Sequence, residues 1–247
     1  MKSAPLILYG IHPVEEALAA GRREIFQLYV SPRPSNRIKR ITARAAASRG
    51  ISVDTLSADR LQALSGTPSH QGICARVGDF PFSDIGPLLS PAGSGLVLVL
   101  DGLQDPRNVG ALIRTAVCAG VDGIILPKNR SATVTPTVAM ASAGAVEHVR
   151  MVRVTNISRT LNQFKSAGMW AVGLVPSVDQ SIFDADLSGP LALVVGSEEK
   201  GVRPLVQKNC DFLVSIPQQG RIDSLNVSVA GAVALYEACR QRQVARG

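Results

Sequence analysis

Polar residues in three short segments stand out for the chemistry they could do: Asn108 and Arg114, then Glu198, then Ser224 and Asn226. An arginine can hold a phosphate or point at a hydroxyl, and a carboxylate can orient a substrate or pair with a cation. Gly110 lies one helical turn before Arg114, so the two share a face. Gly196, two residues before Glu198, permits a tight turn and close approach of a ligand to the backbone. Each segment alone also reads blandly, as a capped helix with a surface arginine, a charged turn, or a helix cap at Ser224 or Asn226. Their succession at the ends of buried strands is what departs from that reading. Other chemistries lack their residues. No Gly-Lys-Ser/Thr closes a phosphate loop, and no GxGxxG follows a strand. His12, His70 and His148 stand without a nucleophile or metal-ligand partners, so no Ser-His-Asp pattern is legible. A further candidate is the small-residue run Ser142–His148, where Glu147 could line the same crevice and His148 reads as structural.

The elements that must position these residues alternate strand and helix. Leu96–Leu100 is a continuous apolar run, the type buried on both faces of a parallel sheet. Helix patterns cover Val109–Ala119, Pro136–Ala141 and Ile157–Ala167. Strand patterns cover Ile124–Leu126, Val149–Val154, Trp170–Leu174, Leu191–Val195 and Phe212–Ile216. The last helix, Leu225–Arg240, is apolar on nearly every face and so is expected to be buried on several sides. Ligands of such sheets bind outside the carboxyl ends of the strands. The loops Asp101–Asn108, Gly196–Gly201 and Pro217–Asn226 all fall there and are expected to meet at one crevice.

The first third reads as a smaller α/β unit. Helices are expected at Pro13–Ala20, Ser35–Ser48 and Ala58–Leu64, with strands at Ile25–Val30, Ile51–Val53 and Gly72–Val77. The Pro/Gly-rich stretch 79–94 reads as a linker with a helical turn at Ile85–Leu89. The division expected is therefore 1–78, a linker 79–94, and 95–247. The net charge of +7 is concentrated early, since residues 1–80 carry 11 Lys/Arg against 6 Asp/Glu. Arg33, Arg37, Arg40 and Arg44 follow 4-3-4 spacing and share one stripe wherever the segment is helical. A basic stripe backed by Ile38, Ile41 and Ala45 is a footprint for phosphate backbones; the bland alternative is a solvated face of a basic protein. The 4% aromatic content argues against base stacking as the main device. Four scattered cysteines without a CxxC pair point away from zinc or a secreted disulfide frame, so a reducing cytoplasmic compartment is expected. Glu15 and Glu16 interrupt any signal-peptide reading of the early apolar run.

The segments Asn108–Ala116 (NVGALIRTA), Leu193–Val202 (LVVGSEEKGV) and Ile216–Ala238 (IPQQGRIDSLNVSVAGAVALYEA) resemble the three motifs of the SpoU, or TrmH, branch of the SPOUT methyltransferases. Tyr9–Leu18 and His70–Ile73 resemble the small RNA-binding domain, like ribosomal protein L30e, found in a subgroup that modifies a guanosine of large-subunit ribosomal RNA. The resemblance covers almost the whole chain. It implies an S-adenosylmethionine-dependent enzyme that methylates a ribose 2′-hydroxyl in RNA, working without a metal. It implies an α/β fold whose C-terminal part is a deep trefoil knot, with backbone near Gly196, Ile216 and Leu225 holding the cofactor. It implies a homodimer packed through the last helix. Arg114 would act at the 2′-hydroxyl, with Asn108, Glu198, Ser224 and Asn226 ordering the site. Because arginine stays protonated, orienting the hydroxyl and its phosphate suits Arg114 better than general-base work. The alternatives are the same chemistry on another ribosomal site or on tRNA, or a non-catalytic RNA-binding or ribosome-assembly protein.

Overall fold

The computed structural model describes residues 6–90, 95–129, 131–221 and 224–245. Along the chain run β1 (Leu6–Tyr9), α1 (Ile11–Ala20), β2 (Ile25–Val30), α2 (Asn36–Arg49), β3 (Ser52–Thr55), α3 (Ala58–Ser65) and β4 (Ile73–Val77). Then come α4 (Gly86–Leu89), β5 (Leu96–Asp101), α5 (Pro106–Cys118), β6 (Gly123–Pro127), α6 (Pro136–Ala141), β7 (Arg150–Val154), α7 (Ile157–Ser166) and β8 (Trp170–Leu174). The chain closes with β9 (Leu191–Gly196), α8 (Pro204–Gln207), β10 (Phe212–Val214) and α9 (Val227–Val244). The chain separates into two compact units, one of Met1–Pro81 with Val134–His148, the other of Phe82–Thr133 with Val149–Gly247. Among the described residues no helix is long and apolar enough to cross a membrane.

In the first unit the sheet order is β1-β4-β2-β3, with β4 antiparallel to both neighbours and β2 parallel to β3. β1 is absent from the sequence reading, which saw only a brief apolar run there. Its pairing partner, β4, lies more than sixty residues away, with Leu6 opposite Val77. α2 starts where Ser35 caps it, its hydroxyl accepting from the Ile38 amide, and stops at Gly50 in the left-handed region (φ 60°). Arg33 therefore lies ahead of the helix, and the expected four-arginine stripe shortens to Arg37, Arg40 and Arg44. α6 packs on β1, bringing Val134–His148 into this unit. There Glu147 is fully buried, 2.7 Å from Arg23, whose guanidinium also lies 4.8 Å from the Phe80 ring centre. The carboxyl of Glu147 is thus part of an ion pair in the first unit. His148 pairs with Glu16 at 2.7 Å, the structural role expected of it.

In the second unit six strands run in the order β10-β8-β9-β5-β6-β7, and every neighbouring pair is parallel. β5 and β9 are buried along their full length, as their unbroken apolar runs require. Leu88 of α4 is buried in the core of this unit together with Val97, Val99 and Val194. The chain reaches the sheet edge at β10 and then returns, so that α9 packs on β9 and against α5. Gly231 makes this approach possible: a Cβ there would lie 2.3 Å from Leu112 Cδ2. The last helix, expected to be buried on several sides, is covered on one face within the chain. Gly231, Ala234, Leu235 and Ala238 face inward, but Val229 and Tyr236 are about half exposed.

Candidate functional site

α5 begins three residues earlier than its apolar pattern, because Asp105 caps it by accepting from the Arg107 amide at 2.9 Å and Pro106 fills the first position. Asn108 accordingly sits in the first turn, at the carboxyl end of β5. Its side-chain amide donates to the Glu198 carboxylate, which is carried by the loop after β9. Asn226 donates to the Asn108 carbonyl oxygen at 3.2 Å. The same Asn226 caps α9, its Oδ1 accepting from the Ser228 amide at 2.9 Å and the Ser228 hydroxyl at 2.6 Å. Three segments, that of Asn108 and two others 90 and 118 residues further along, are thereby joined by side chains. Ser224 lies ahead of α9 and does not cap it.

The loop after β9 is held shut by its own backbone. The Ser197 amide donates to the Gly201 carbonyl at 3.1 Å, and the Gly201 amide returns a bond to Ser197 at 2.8 Å. Gly201 takes a left-handed conformation (φ 58°) to close the turn. Gly196 lies beneath it so closely that a Cβ would fall 1.9 Å from the Gly201 carbonyl carbon. A second restraint was not legible in the sequence. Asp101, at the end of β5 and 1% exposed, accepts from the Arg203 amide at 2.9 Å and from its Nε at 2.8 Å. Arg203 Nη2 completes the contact at 2.6 Å. No local pattern links these residues; the only sequence signal was an acid ending an otherwise apolar strand.

Two adjoining clefts open at the carboxyl ends of the strands, where a parallel sheet places its ligands. One, of about 300 Å³, lies over β8, β9 and the segment after β10; its walls include Val175, Gly196, Glu198, Ile216, Ser224 and Leu225. The other, of about 500 Å³, lies over β5, β6 and β9, and is lined by Asp105, Asn108, Glu198, Glu199, Lys200 and Arg203 among others. Residues Ser197–Lys200 form a wall common to both. Gly196, Glu198, Ile216, Ser224 and Leu225 are thus brought together around the first cleft, and Asn108 with Glu198 around the second. Asn226 reaches the site through Asn108. Arg114 stands apart: it is exposed on α5 and lines neither cleft. Sequence reasoning did not find Leu174–Pro176, which wall the first cleft, or Gln218 at its rim. The end of a buried strand was the available signal for Leu174–Pro176.

On the first unit, Arg33, Arg40 and Arg44 are exposed. Arg37 is turned onto α1, where its Nε donates to Glu15 at 2.9 Å and its Nη1 lies 3.1 Å from His12 Nε2. Arg40 and Arg44 border a shallow cleft of about 270 Å³ with Glu15 and Ile41. Among the described residues no cluster of His, Cys, Asp or Glu is arranged to hold a metal.

Comparison with known proteins finds a family match in each half of the chain. Residues 95–236 match the model of the SpoU rRNA Methylase family, and residues 7–82 match that of the RNA 2′-O ribose methyltransferase substrate binding family. The chain is 40% identical over 240 residues to the 23S rRNA (guanosine-2′-O-)-methyltransferase RlmB of Ralstonia nicotianae, covering 96% of both chains. It is similar to the crystal structure of an RNA 2′-O ribose methyltransferase, with a TM-score of 0.81 and 29% identity over 97% of this chain and 90% of that one. It is also similar to an AdoMet-bound rRNA methyltransferase from Sinorhizobium meliloti, with a TM-score of 0.76 and 25% identity over 96% and 87% of the two chains.

Proposed function

We propose that this chain, which belongs to the SpoU rRNA methylase family, transfers a methyl group from S-adenosylmethionine to the ribose 2′-hydroxyl of a guanosine in large-subunit ribosomal RNA. The observation that carries the reading is the join of Asn108, Glu198 and Asn226 at the mouths of the two clefts. Full-length similarity to a 23S rRNA guanosine methyltransferase supports the choice of substrate.

The first cleft fits the cofactor in size and chemistry. Its volume is at the small end of the roughly 300–1,000 Å³ usual for small-molecule sites. Leu174, Val175, Ile216 and Leu225 offer apolar walls to a purine, and strand-end backbone at Gly196 and Ile216 offers polar groups to its edges. Glu198 supplies negative charge beside a cationic sulfonium. When bound, the cofactor supplies an electrophilic methyl group. The protein's own work is positioning and management of charge. Asn108 fixes the Glu198 carboxylate, and Asn226 fixes Asn108, so neither polar chain needs to reorganise when RNA arrives. Ser224, at the rim of the first cleft, is placed to bind the cofactor or ribose.

Arg114 completes the site from a second copy of the chain. Its exposure, outside both clefts of its own chain, supports this, as does the apolar stripe of Val229 and Tyr236 left uncovered on the neighbouring α9. The return of the chain from the edge strand β10 to α9 at the middle of the sheet supports a knotted path. Residues 1–78 deliver the RNA through Arg33, Arg40 and Arg44, and reversing the charge of Arg40 and Arg44 is expected to weaken RNA binding without changing cofactor affinity.

Mapping 2′-O-methylation on ribosomal RNA from cells with and without this protein tests the function. One guanosine of large-subunit RNA should lose its methyl group; an unchanged map refutes the assignment. Arg114→Ala is expected to keep cofactor affinity and lower turnover about a hundredfold or more. Undiminished turnover removes Arg114 from the mechanism.

A further inference from the structure

We propose that the second cleft reads the base of the target nucleotide, with Arg203 as the residue that specifies guanine. The inference rests on the methyl-transfer reading above and deepens it. The cleft shares the Ser197–Lys200 wall with the cofactor cleft, so a nucleotide whose ribose lies at that wall places its base on the far side, over β5 and β6. About 500 Å³ is room for an extruded base and sugar.

The donors and acceptors there are those of guanine. Asp101 holds Arg203 through Nε and Nη2 and is itself buried, while the Arg203 side chain is 48% exposed. One edge of the guanidinium is thus fixed on the protein, and the end carrying Nη1 remains to meet a ligand. Loss of rotamer freedom, large for arginine, has already occurred in the fold. Such a planar fork matches two acceptors side by side, which guanine presents as O6 and N7. A phosphate would also match the fork, but against Lys200 and Arg203 the same cleft sets Asp101, Asp105, Glu198 and Glu199, an excess of negative charge that opposes an anion. Those carboxylates suit the opposite edge of guanine, whose N1–H and N2–H groups are donors. Glu198 is engaged by Asn108 and Asp105 by the Arg107 amide, whereas the Glu199 side chain makes no hydrogen bond among the described residues. Adenine offers a donor where guanine has O6 and leaves Arg203 with one acceptor, so it is rejected by a donor facing a donor and not by size.

The test uses the full-length protein and a large-subunit rRNA fragment carrying a single 7-deazaguanosine, which lacks N7, at the nucleotide that methylation mapping identifies. Methyl transfer from labelled S-adenosylmethionine is measured for this fragment and for its guanosine parent, with wild-type protein and Arg203→Lys. Wild type is expected to lose roughly tenfold or more in kcat/KM on 7-deazaguanosine, in keeping with the worth of one bidentate base contact. Arg203→Lys is expected to lose a similar factor on guanosine and little further on the analogue, with cofactor affinity within threefold of wild type by calorimetry. Equal use of the two RNAs by wild type, a measurement that needs no variant, overturns the inference. So does an Arg203→Lys loss that multiplies with the analogue's, or one that comes with loss of cofactor binding, since Arg203 would then serve the loop alone. Failure of wild type to methylate the guanosine fragment is a different result, and it refutes the methyl-transfer reading beneath.

Discussion

Gly196→Ala isolates the contribution of the β9 loop to cofactor binding. The new Cβ would stand 1.9 Å from the Gly201 carbonyl carbon, 2.1 Å from the Val202 nitrogen and 2.2 Å from the Gly201 oxygen. All three are backbone atoms, so no side chain can rotate away, and the turn must lift by about 1.5 Å to reach ordinary contact. Lifting breaks the two bonds between Ser197 and Gly201. At roughly 0.5–1.5 kcal/mol net for each bond, the closed loop loses about 1–3 kcal/mol. If binding requires the closed loop, S-adenosylmethionine affinity falls about 5- to 150-fold. The melting temperature falls by roughly 2–10 °C, because β9 is central to the sheet. Calorimetric titration and thermal unfolding measure the two effects. Gly189→Ala is the control, since a Cβ there meets nothing within 4 Å. A Gly196→Ala protein that binds the cofactor within twofold of wild type would refute the claim that this turn forms the cofactor wall.

Other outcomes follow from groups outside the clefts. Arg23→Leu strands Glu147 as a buried carboxylate and is expected to cost about 3–5 kcal/mol in urea unfolding, and Arg23→Leu with Glu147→Gln should recover much of that loss. Burial pushes the Cys74 thiol up to about 11 and the Cys210 thiol up to about 12, Asp211 adding to the latter. At pH 8 an alkylating reagent should therefore label exposed Cys118 much faster than Cys74 or Cys210, as peptide mass analysis will show. The same shift fixes a pH dependence. In the unfolded chain Cys74 ionises near its ordinary value of 9, while in the fold it stays protonated to about 11. The stability it contributes is complete below pH 9 and declines as pH rises toward 11, by about 1.4 kcal/mol per pH unit. Cys74→Ala should make that part of the curve shallower, the raised Cys210 thiol keeping a slope of its own, and an unchanged slope between pH 9 and 10.5 would remove Cys74 as a source.

The parts of this molecule legible in its sequence are those set by local pattern. Unbroken apolar runs at Leu96–Leu100 and Leu191–Val195 announced buried parallel strands, and the rule that ligands sit at strand carboxyl ends then pointed to loops whose residues line the two clefts. What stayed hidden depends on long-range pairing. β1 is four residues long and becomes a strand only against β4. The Asp101–Arg203 contact spans 102 residues, and the turning of Arg37 onto Glu15 converts a supposed phosphate ligand into a strut between two helices. The last helix was legible only in part: without apolar periodicity, its pattern could not say which face would be left uncovered. Val134–His148 joins the first unit through Glu147 and α6, an association that no stretch of sequence near it records.

The first cleft is assembled from residues between Leu174 and Ala230. A chain emerging from its own synthesis holds no part of this cleft until it has entered its final third, and cannot close it until α9 has crossed back from the edge strand to the centre of the sheet. Pairings of this kind form late and slowly. Ligand affinity is thus a report on completion of the fold, and free S-adenosylmethionine would favour finished molecules over partly folded ones by mass action. The first cleft is complete only after Val227 and Ala230 of α9 have docked.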